Sequence, residues 1–333
     1  MMAVVFNCTR VSDEEAERVR VFVAGATGVV GRRIVQQLVE RGDQVVALAR
    51  GPEREGLVRR LGGAPARGDL FDSHSLAPAM EGCDVAIRAA TSIPTKPRVR
   101  LKDFAMNDRI RTEGTRSMLE AAARAKVPAY VHESVVWAAG RPDGGPFDED
   151  APPRPIKGLA GTVAGERIAR EEGARLGIKV AVLRFGVFYS ADAAHTRTIG
   201  QRLSRRALPI IGDGSARWSI IHADDAAEAF VAASEKPRSG LWHVVDDRPV
   251  TLAELFGDLA NRLGASPPRR VPMWLAMLVG GRLTVETLTT SFPTSNTRLR
   301  RDFGWAPRYP THREGLDQVL AAWREEGFPP RRP

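Results

Sequence analysis

The sequence predicts an α/β protein built on a doubly wound, mostly parallel sheet, with a smaller C-terminal α/β region attached. Three observations predict it. At residues 20–38 an apolar run enters a glycine turn and leaves it as an amphipathic helix. Short apolar runs then alternate with helical stretches through residue 190. Beyond that point the strands shorten and proline begins to punctuate the chain. With 333 residues, the chain is long enough to bury a large core in such an arrangement.

The first strand is Val21-Phe22-Val23-Ala24, and Gly25-Ala26-Thr27-Gly28-Val29-Val30-Gly31 is the turn. Apolar residues recur at helical spacing through Val30, Ile34, Val35 and Leu38. Glycine permits a sharp turn and a close ligand approach, and a helix start offers unpaired amides at its positive end. A pyrophosphate fits there, as in a Rossmann-type dinucleotide site. A second strand, Val45-Val46-Ala47-Leu48, ends in Ala49-Arg50-Gly51. The tip of this strand meets the adenosine ribose, where an acid favours NAD and an arginine accommodates the 2′-phosphate of NADP. With Arg50 there, no acid at the tip, and Arg32 and Arg33 in the adjacent helix, the expected cofactor is NADP, with NAD the weaker alternative.

A third strand is expected at residues 64–66, ending in Gly68-Asp69-Leu70, and a fourth at residues 84–87, ending in Ala89-Ala90-Thr91. Small residues at that edge let a cofactor approach the sheet. A long helix at residues 101–125, a fifth strand at 129–132, a helix at 161–174 and a sixth strand at 180–183 complete the alternation. Helices are then expected at 191–206, from 224 onward, at 251–263, 273–288 and 313–323, with strands at 219–222 and 242–244. Thr251 and Glu254 have capping-box spacing. The implied division is an N-terminal extension at 1–19, a nucleotide-binding domain at 20–190 and a mainly substrate-binding region at 191–330.

Composition narrows the function classes. The net charge of +9 comes from arginines scattered among acids, without a basic stripe or aromatic interleaving, so a nucleic acid is not an expected partner. The apolar stretch at residues 271–281 is too short to span a bilayer, and the N-terminus lacks the pattern of a secretion signal. A cytoplasmic protein with no membrane partner and a small-molecule substrate is expected. Two cysteines, Cys8 and Cys83, make neither a disulfide framework nor a metal site, and no metal is expected.

From residue 20 to about 327 the chain resembles the extended short-chain dehydrogenase/reductases of the NAD(P)-dependent epimerase/dehydratase branch. Gly25, Gly28 and Gly31 match the family turn, Asp69-Leu70 its adenine-side pair, and Ala89-Ala90 its fourth-strand end. Asn107 with Gly114-Thr115, His222-Ala223-Asp224-Asp225 and Phe303-Gly304-Trp305-Ala306-Pro307 match further elements in the same order. The resemblance implies an oxidoreductase that is commonly a homodimer, with Gly25, Thr27, Gly28, Val29, Val30, Gly31, Arg50, Asp69, Leu70, Ala89, Ala90 and Thr91 at the cofactor.

The chain departs from the family at its chemistry. A Tyr-x-x-x-Lys pair and a serine normally move the proton, the lysine lowering the tyrosine pKa. Anchoring on Glu166 puts Gly158 at the tyrosine position and Thr162 at the lysine position, and Val135 fills the serine position. Glu133, Ser134 and Tyr189 are the candidate replacements: a buried glutamate for acid–base work, a hydroxyl for a carbonyl oxygen, and the one tyrosine placed to approach the nicotinamide. Trp218 occupies the place of a family arginine that clamps nucleotide-sugar phosphates, and Trp137 lies near the fifth strand. An indole offers apolar surface and one donor, so both point to a substrate other than a sugar nucleotide. The Met273-Trp274-Leu275 segment reads mainly as core, with pocket lining as the alternative. A non-redox isomerase, lyase or cyclase, or an inactive cofactor-binding sensor, are the competing functions.

Overall fold

The computed structural model describes residues 18–94 and 99–328; most of the expected N-terminal extension, including Cys8, lies outside them. Seven parallel strands form one sheet. Six are β1 (Arg20–Ala24), β2 (Gln44–Leu48), β3 (Ala64–Ala66), β4 (Val85–Arg88), β5 (Ala129–Val135) and β6 (Lys179–Phe185). The seventh is Gly240–Val244, and the order runs Gly240–Val244, β6, β5, β4, β1, β2, β3. The chain reverses direction across the sheet between β1 and β4, which leaves a crevice at the carboxyl ends of those two strands.

Near-continuous apolar strands are what a sheet covered on both faces requires. One face packs α1 (Val29–Glu40) and the helix Ala223–Glu235, through Ile34, Leu38, Ala226 and Phe230. α2 (Pro52–Arg60) joins that face through Val58. The other face packs α3 (Ser73–Met80), α4 (Ala105–Arg124) and α5 (Ala160–Leu176), with Leu76, Met118 and Ala169 in its core. The sheet therefore sits between two helical layers, and a third apolar cluster around Trp218, Phe256, Phe292 and Trp323 fills the C-terminal region.

Two boundaries differ from expectation. The helix Ala223–Glu235 and the strand Gly240–Val244 return to the nucleotide-binding half, because residues 226–244 supply apolar side chains to its core. A single cut at residue 190 therefore does not separate the regions. The helix expected at 273–288 is two helices, Met273–Gly280 and Arg282–Thr289, parted at Gly281, whose φ of +81° is disfavoured for other residues. Thr251 does cap its helix by accepting from the Glu254 amide, and a reciprocal capping box forms at Thr311 and Glu314. No helix among the described residues is long and apolar enough to cross a membrane.

Candidate functional site

The glycine turn between β1 and α1 shows two different uses of glycine. A Cβ on Gly25, at φ +97°, would come within 2.6 Å of the Ala89 and Ala90 backbone, and one on Gly31 would lie 2.0 Å from the Gly25 carbonyl oxygen. Those two residues let the turn pack on itself and on the end of β4. Gly28 is different: a Cβ there meets only the Gly25 oxygen, at 3.4 Å, and the residue is exposed. Its protein neighbours do not demand glycine, so its open side is available to a ligand. Gly28 caps α1 without a side-chain hydrogen bond, the first turn carries no acid, and Arg32 donates the first helical bond to Gly28 at 3.0 Å. The amides of Val29, Val30 and Gly31 are left as donors at the positive end of the helix. Thr27, Val29 and Val30 flank them half-buried. This cradle fits a diphosphate.

The adenosine side is equally open. Arg50 is exposed at the tip of β2 and makes no ion pair or side-chain hydrogen bond among the described residues. Asp69 is exposed after β3, with one carboxylate oxygen accepting from the Phe71 amide at 3.0 Å. Leu70 is buried against Gly114. Arg32 and Arg33 do not join this group. Arg32 pairs with Asp192 at 2.6 Å, and Arg33 pairs with Asp192 at 3.0 Å and with Asp224. Their expected contribution to a ribose phosphate is thus withdrawn, leaving Arg50 alone.

At the end of β4, Ala89 and Ala90 are half-buried and Thr91 is exposed, and the Ser92 amide is held by Asn107 Oδ1 at 3.1 Å. Beneath them lies a buried charge cluster that sets Glu133 beside two arginines. Fully buried Arg88 donates to the Ala90 carbonyl at 2.8 Å and to the Glu133 carbonyl at 2.6 Å. The Glu133 carboxylate sits 3.0 Å from Arg111 and 3.5 Å from Arg88. Burial, reinforced by Arg88 and Arg111, drives the His132 pKa well below its ordinary value, so this ring is neutral. An arginine within the apolar run Asp84-Val85-Ala86-Ile87-Arg88 was the available clue to a buried charge.

All three expected catalytic groups are corrected by this geometry. Glu133 is only 3% exposed and is held between two arginines, so it counters buried charge rather than facing substrate. Ser134 is buried and donates to Glu166, whose carboxylate is in turn gripped by Arg184 at 2.7 and 2.8 Å. Tyr189 donates to Asp246 at 3.3 Å within the C-terminal core, edge-on to His222 and so tight against Gly315 that a Cβ there would meet its hydroxyl. Burial beside that carboxylate raises the phenol pKa well above normal, opposite to what a catalytic tyrosine needs. At the three vacated positions, Val135 is buried, Gly158 has φ +94° and faces the Phe104 ring, and Thr162 is buried with an unpartnered Oγ1.

Both expected substrate tryptophans come together. A pocket of about 540 Å³ opens beyond β5, lined in part by Trp137, Gly140, Arg154, Lys157, Glu286 and Phe292. Trp137 stacks on Phe292 with centroids 5.2 Å apart and planes 6° from parallel. Trp218 backs both rings at 6.2 and 5.3 Å, its indole N–H donating to the Thr290 carbonyl at 3.1 Å. Trp218 thus supports the wall while Trp137 lines the space. Lys157 pairs with Glu286 at 3.4 Å, and Arg154 makes no ion pair among the described residues. Phe292 and Arg154 had no marker in the sequence. A larger cleft, about 930 Å³, lies over α1 and the helix Ala223–Glu235, where Arg32, Arg33 and Arg41 pair with Asp192, Asp224 and Glu235.

Comparisons with known proteins agree with this architecture. The model of the NAD dependent epimerase/dehydratase family matches residues 21–244. A 3-diazoavenalumate denitrifying reductase from a Streptomyces species is 36% identical, over 89% of this chain and 99% of that protein. A 4-hydroxy-2-methyl-3-oxo-4-farnesyl-3,4-dihydroquinoline-1-oxide ketoreductase from Stigmatella aurantiaca is 28% identical, over 91% of this chain and 96% of its own. Among solved structures, dTDP-glucose 4,6-dehydratase from Streptomyces venezuelae, with NAD and TYD bound, superposes at a TM-score of 0.77 and 22% identity. That superposition covers 92% of this chain and 98% of the other.

Proposed function

The chain belongs to the NAD dependent epimerase/dehydratase family and is an oxidoreductase-type enzyme for a small substrate; from that premise we propose that it is an NADP-dependent reductase of an aromatic, non-nucleotide-sugar compound. The observation that carries this reading is an open diphosphate cradle at Gly28 on the same sheet edge as a pocket walled by stacked Trp137 and Phe292. Arg50, exposed and free of acidic partners, supports NADP. The reductase names of two relatives support the direction of the reaction.

The bound nicotinamide supplies hydride. The chain's own work is binding and orientation. Amides at the start of α1 hold the diphosphate, Gly25 keeps the turn against β4, and Trp137 offers a flat apolar face to a planar substrate. Arg154 at the rim suits an acidic group on that substrate. Hydroxyl and carboxylate groups at Glu133, Ser134 and Tyr189 are committed to the interior. The reading therefore favours an acceptor that needs no proton from the protein. A cationic acceptor meets that condition: hydride delivered to an arenediazonium gives the arene and N₂, with charge and atoms balanced.

The test is titration of the protein with NADPH and NADH, repeated on Arg50→Ala. Tighter binding of NADPH is expected, with a preference that falls about tenfold in the variant, as loss of one charge-assisted contact implies. Equal affinities in wild type, or an unchanged ratio in the variant, refutes the NADP assignment.

A further inference from the structure

The helix Met273–Gly280, expected from sequence to be mainly core, buries none of its residues. Met273, Trp274, Leu275, Met277, Leu278 and Val279 are 38–77% exposed, the highest values belonging to Trp274, Leu278 and Val279. At about 100° per residue these six side chains cover roughly 240° of the helix circumference. The protein-facing remainder is Ala276 and Gly280, one turn apart and both half-buried. Such a distribution is not an amphipathic stripe. A protein groove covers one face of a helix, about 100° or slightly more, and would leave Trp274 or Val279 in water. A fluid apolar phase can surround all six.

The flanks indicate which phase. From residue 264 to residue 285 the chain carries Arg269, Arg270 and Arg282 and no acid, and all three arginines are exposed. Arg282 is paired with Glu286, while Arg269 and Arg270 make no ion pair among the described residues. Arginines at the ends of an apolar segment reach phosphate headgroups while their stems stay in the apolar layer, and tryptophan favours that same boundary. The chain's net charge of +9 adds long-range attraction to an anionic surface.

We propose that Met273–Gly280 is an interfacial anchor that lies in the headgroup region of an anionic lipid membrane without crossing it. The sequence expectation of no membrane partner rested on span length, which excludes crossing and leaves this mode open. The next helix, Arg282–Thr289, forms one wall of the aromatic pocket through Leu283 and Thr287. If that pocket is the substrate site, as the functional reading holds, its mouth lies beside lipid, giving a lipophilic compound a short path from bilayer to pocket. The anchor itself does not depend on that reading.

The test is sedimentation of the full chain with vesicles of phosphatidylcholine alone or mixed with phosphatidylglycerol, alongside Trp274 emission. Binding to the mixed vesicles with a blue-shifted emission absent in Trp274→Phe is expected. Leu278→Asp/Val279→Asp should cut the bound fraction at least tenfold without altering the melting temperature, since both side chains are solvent-exposed. Failure to bind phosphatidylglycerol vesicles, or equal binding by the double variant, overturns the proposal. So does light scattering that shows a wild-type dimer turned to monomer by the double variant, because the helix then covers a second copy. NADPH titration of the double variant reports separately on the cofactor reading.

Discussion

Gly28→Ala and Gly31→Ala should separate the cofactor cradle from the fold that builds it. In Gly31→Ala the new methyl would sit 2.0 Å from the Gly25 carbonyl oxygen and 2.7 Å from its carbon, where ordinary contact is 3.4 Å or more. The obstacle is backbone on both sides, so relief requires α1 to move off β1. Overpacking of this kind costs about 1–3 kcal/mol or more. At about 1.5 °C per kcal/mol for a chain of 333 residues, melting should fall by roughly 2–5 °C. Gly28→Ala meets a single atom at 3.4 Å and keeps φ −75° and ψ 174°, which alanine adopts freely. Loss of glycine at the N-cap costs about 0.5–1 kcal/mol, and reduced freedom in the unfolded chain returns about 0.4–1 kcal/mol. Its melting temperature should therefore stay within about 1 °C of wild type. The methyl points into the space assigned to the diphosphate, however, and NADPH affinity should drop at least tenfold, about 1.4 kcal/mol. Calorimetry and fluorescence titration of the two variants read both quantities. If Gly28→Ala binds NADPH like wild type, the diphosphate does not rest on this turn. Wild-type melting of Gly31→Ala would mean the turn is not packed as described.

Glu133→Gln should destabilise by about 3–5 kcal/mol, because it leaves Arg88 and Arg111 buried without a counter-charge; turnover per folded molecule should stay within a few-fold, and normal melting with abolished turnover would restore its catalytic reading. Trp137→Ala should raise KM by about tenfold while Trp218→Phe changes KM less, since Trp137 lines the pocket and Trp218 backs it; steady-state kinetics in which Trp218 dominates would reverse those roles. Asp225 should make stability fall as pH rises. Burial pushes its pKa up to about 6, with Glu228 and Asp224 adding to the shift and the Tyr309 and Arg308 amides opposing it. The native state therefore holds a proton that the unfolded chain releases near pH 4. This contribution is fully present below pH 4 and lost as pH passes through 6, for about 3 kcal/mol. Denaturant midpoints from pH 4 to 7.5 should show that slope in wild type and a flatter one in Asp225→Asn.

What could be read from the sequence was set by how local each constraint is. The glycine turn was legible because strand, turn and helix are consecutive and Gly25 and Gly31 meet within it. β5 was expected over residues 129–132, with Glu133 and Ser134 at its carboxyl end. It runs on to Val135 because Arg111 in α4 and Glu166 in α5 satisfy those polar groups inside the protein. The pairing of Arg32 and Arg33 with Asp192 and Asp224 joins residues about 160 and 190 positions apart, and no local pattern announces it. Phe292 joins the aromatic wall for the same reason, 155 residues after the Trp137 on which it stacks. Trp218 was legible because it departs from a family motif at a known position, and Trp137 because it follows the fifth strand closely in sequence.

The vacated proton-relay positions are not a normal site lacking one side chain. At Gly158 the backbone has φ +94° and a Cβ would come within 3.0 Å of the Phe104 ring, so both conformation and space now exclude a tyrosine. Thr162 is wholly buried in α5, where a lysine ammonium would be desolvated. Ser134 and Glu166 form a closed network with Arg184. These neighbourhoods have repacked around small or apolar residues, while the cradle at Gly28 stays open and Arg50 stays free. Retaining the cofactor end while closing the proton end selects for a particular chemistry. On the proposed reading, the substrate would accept hydride by virtue of its own charge or its own proton, and discrimination would lie in its fit against Trp137.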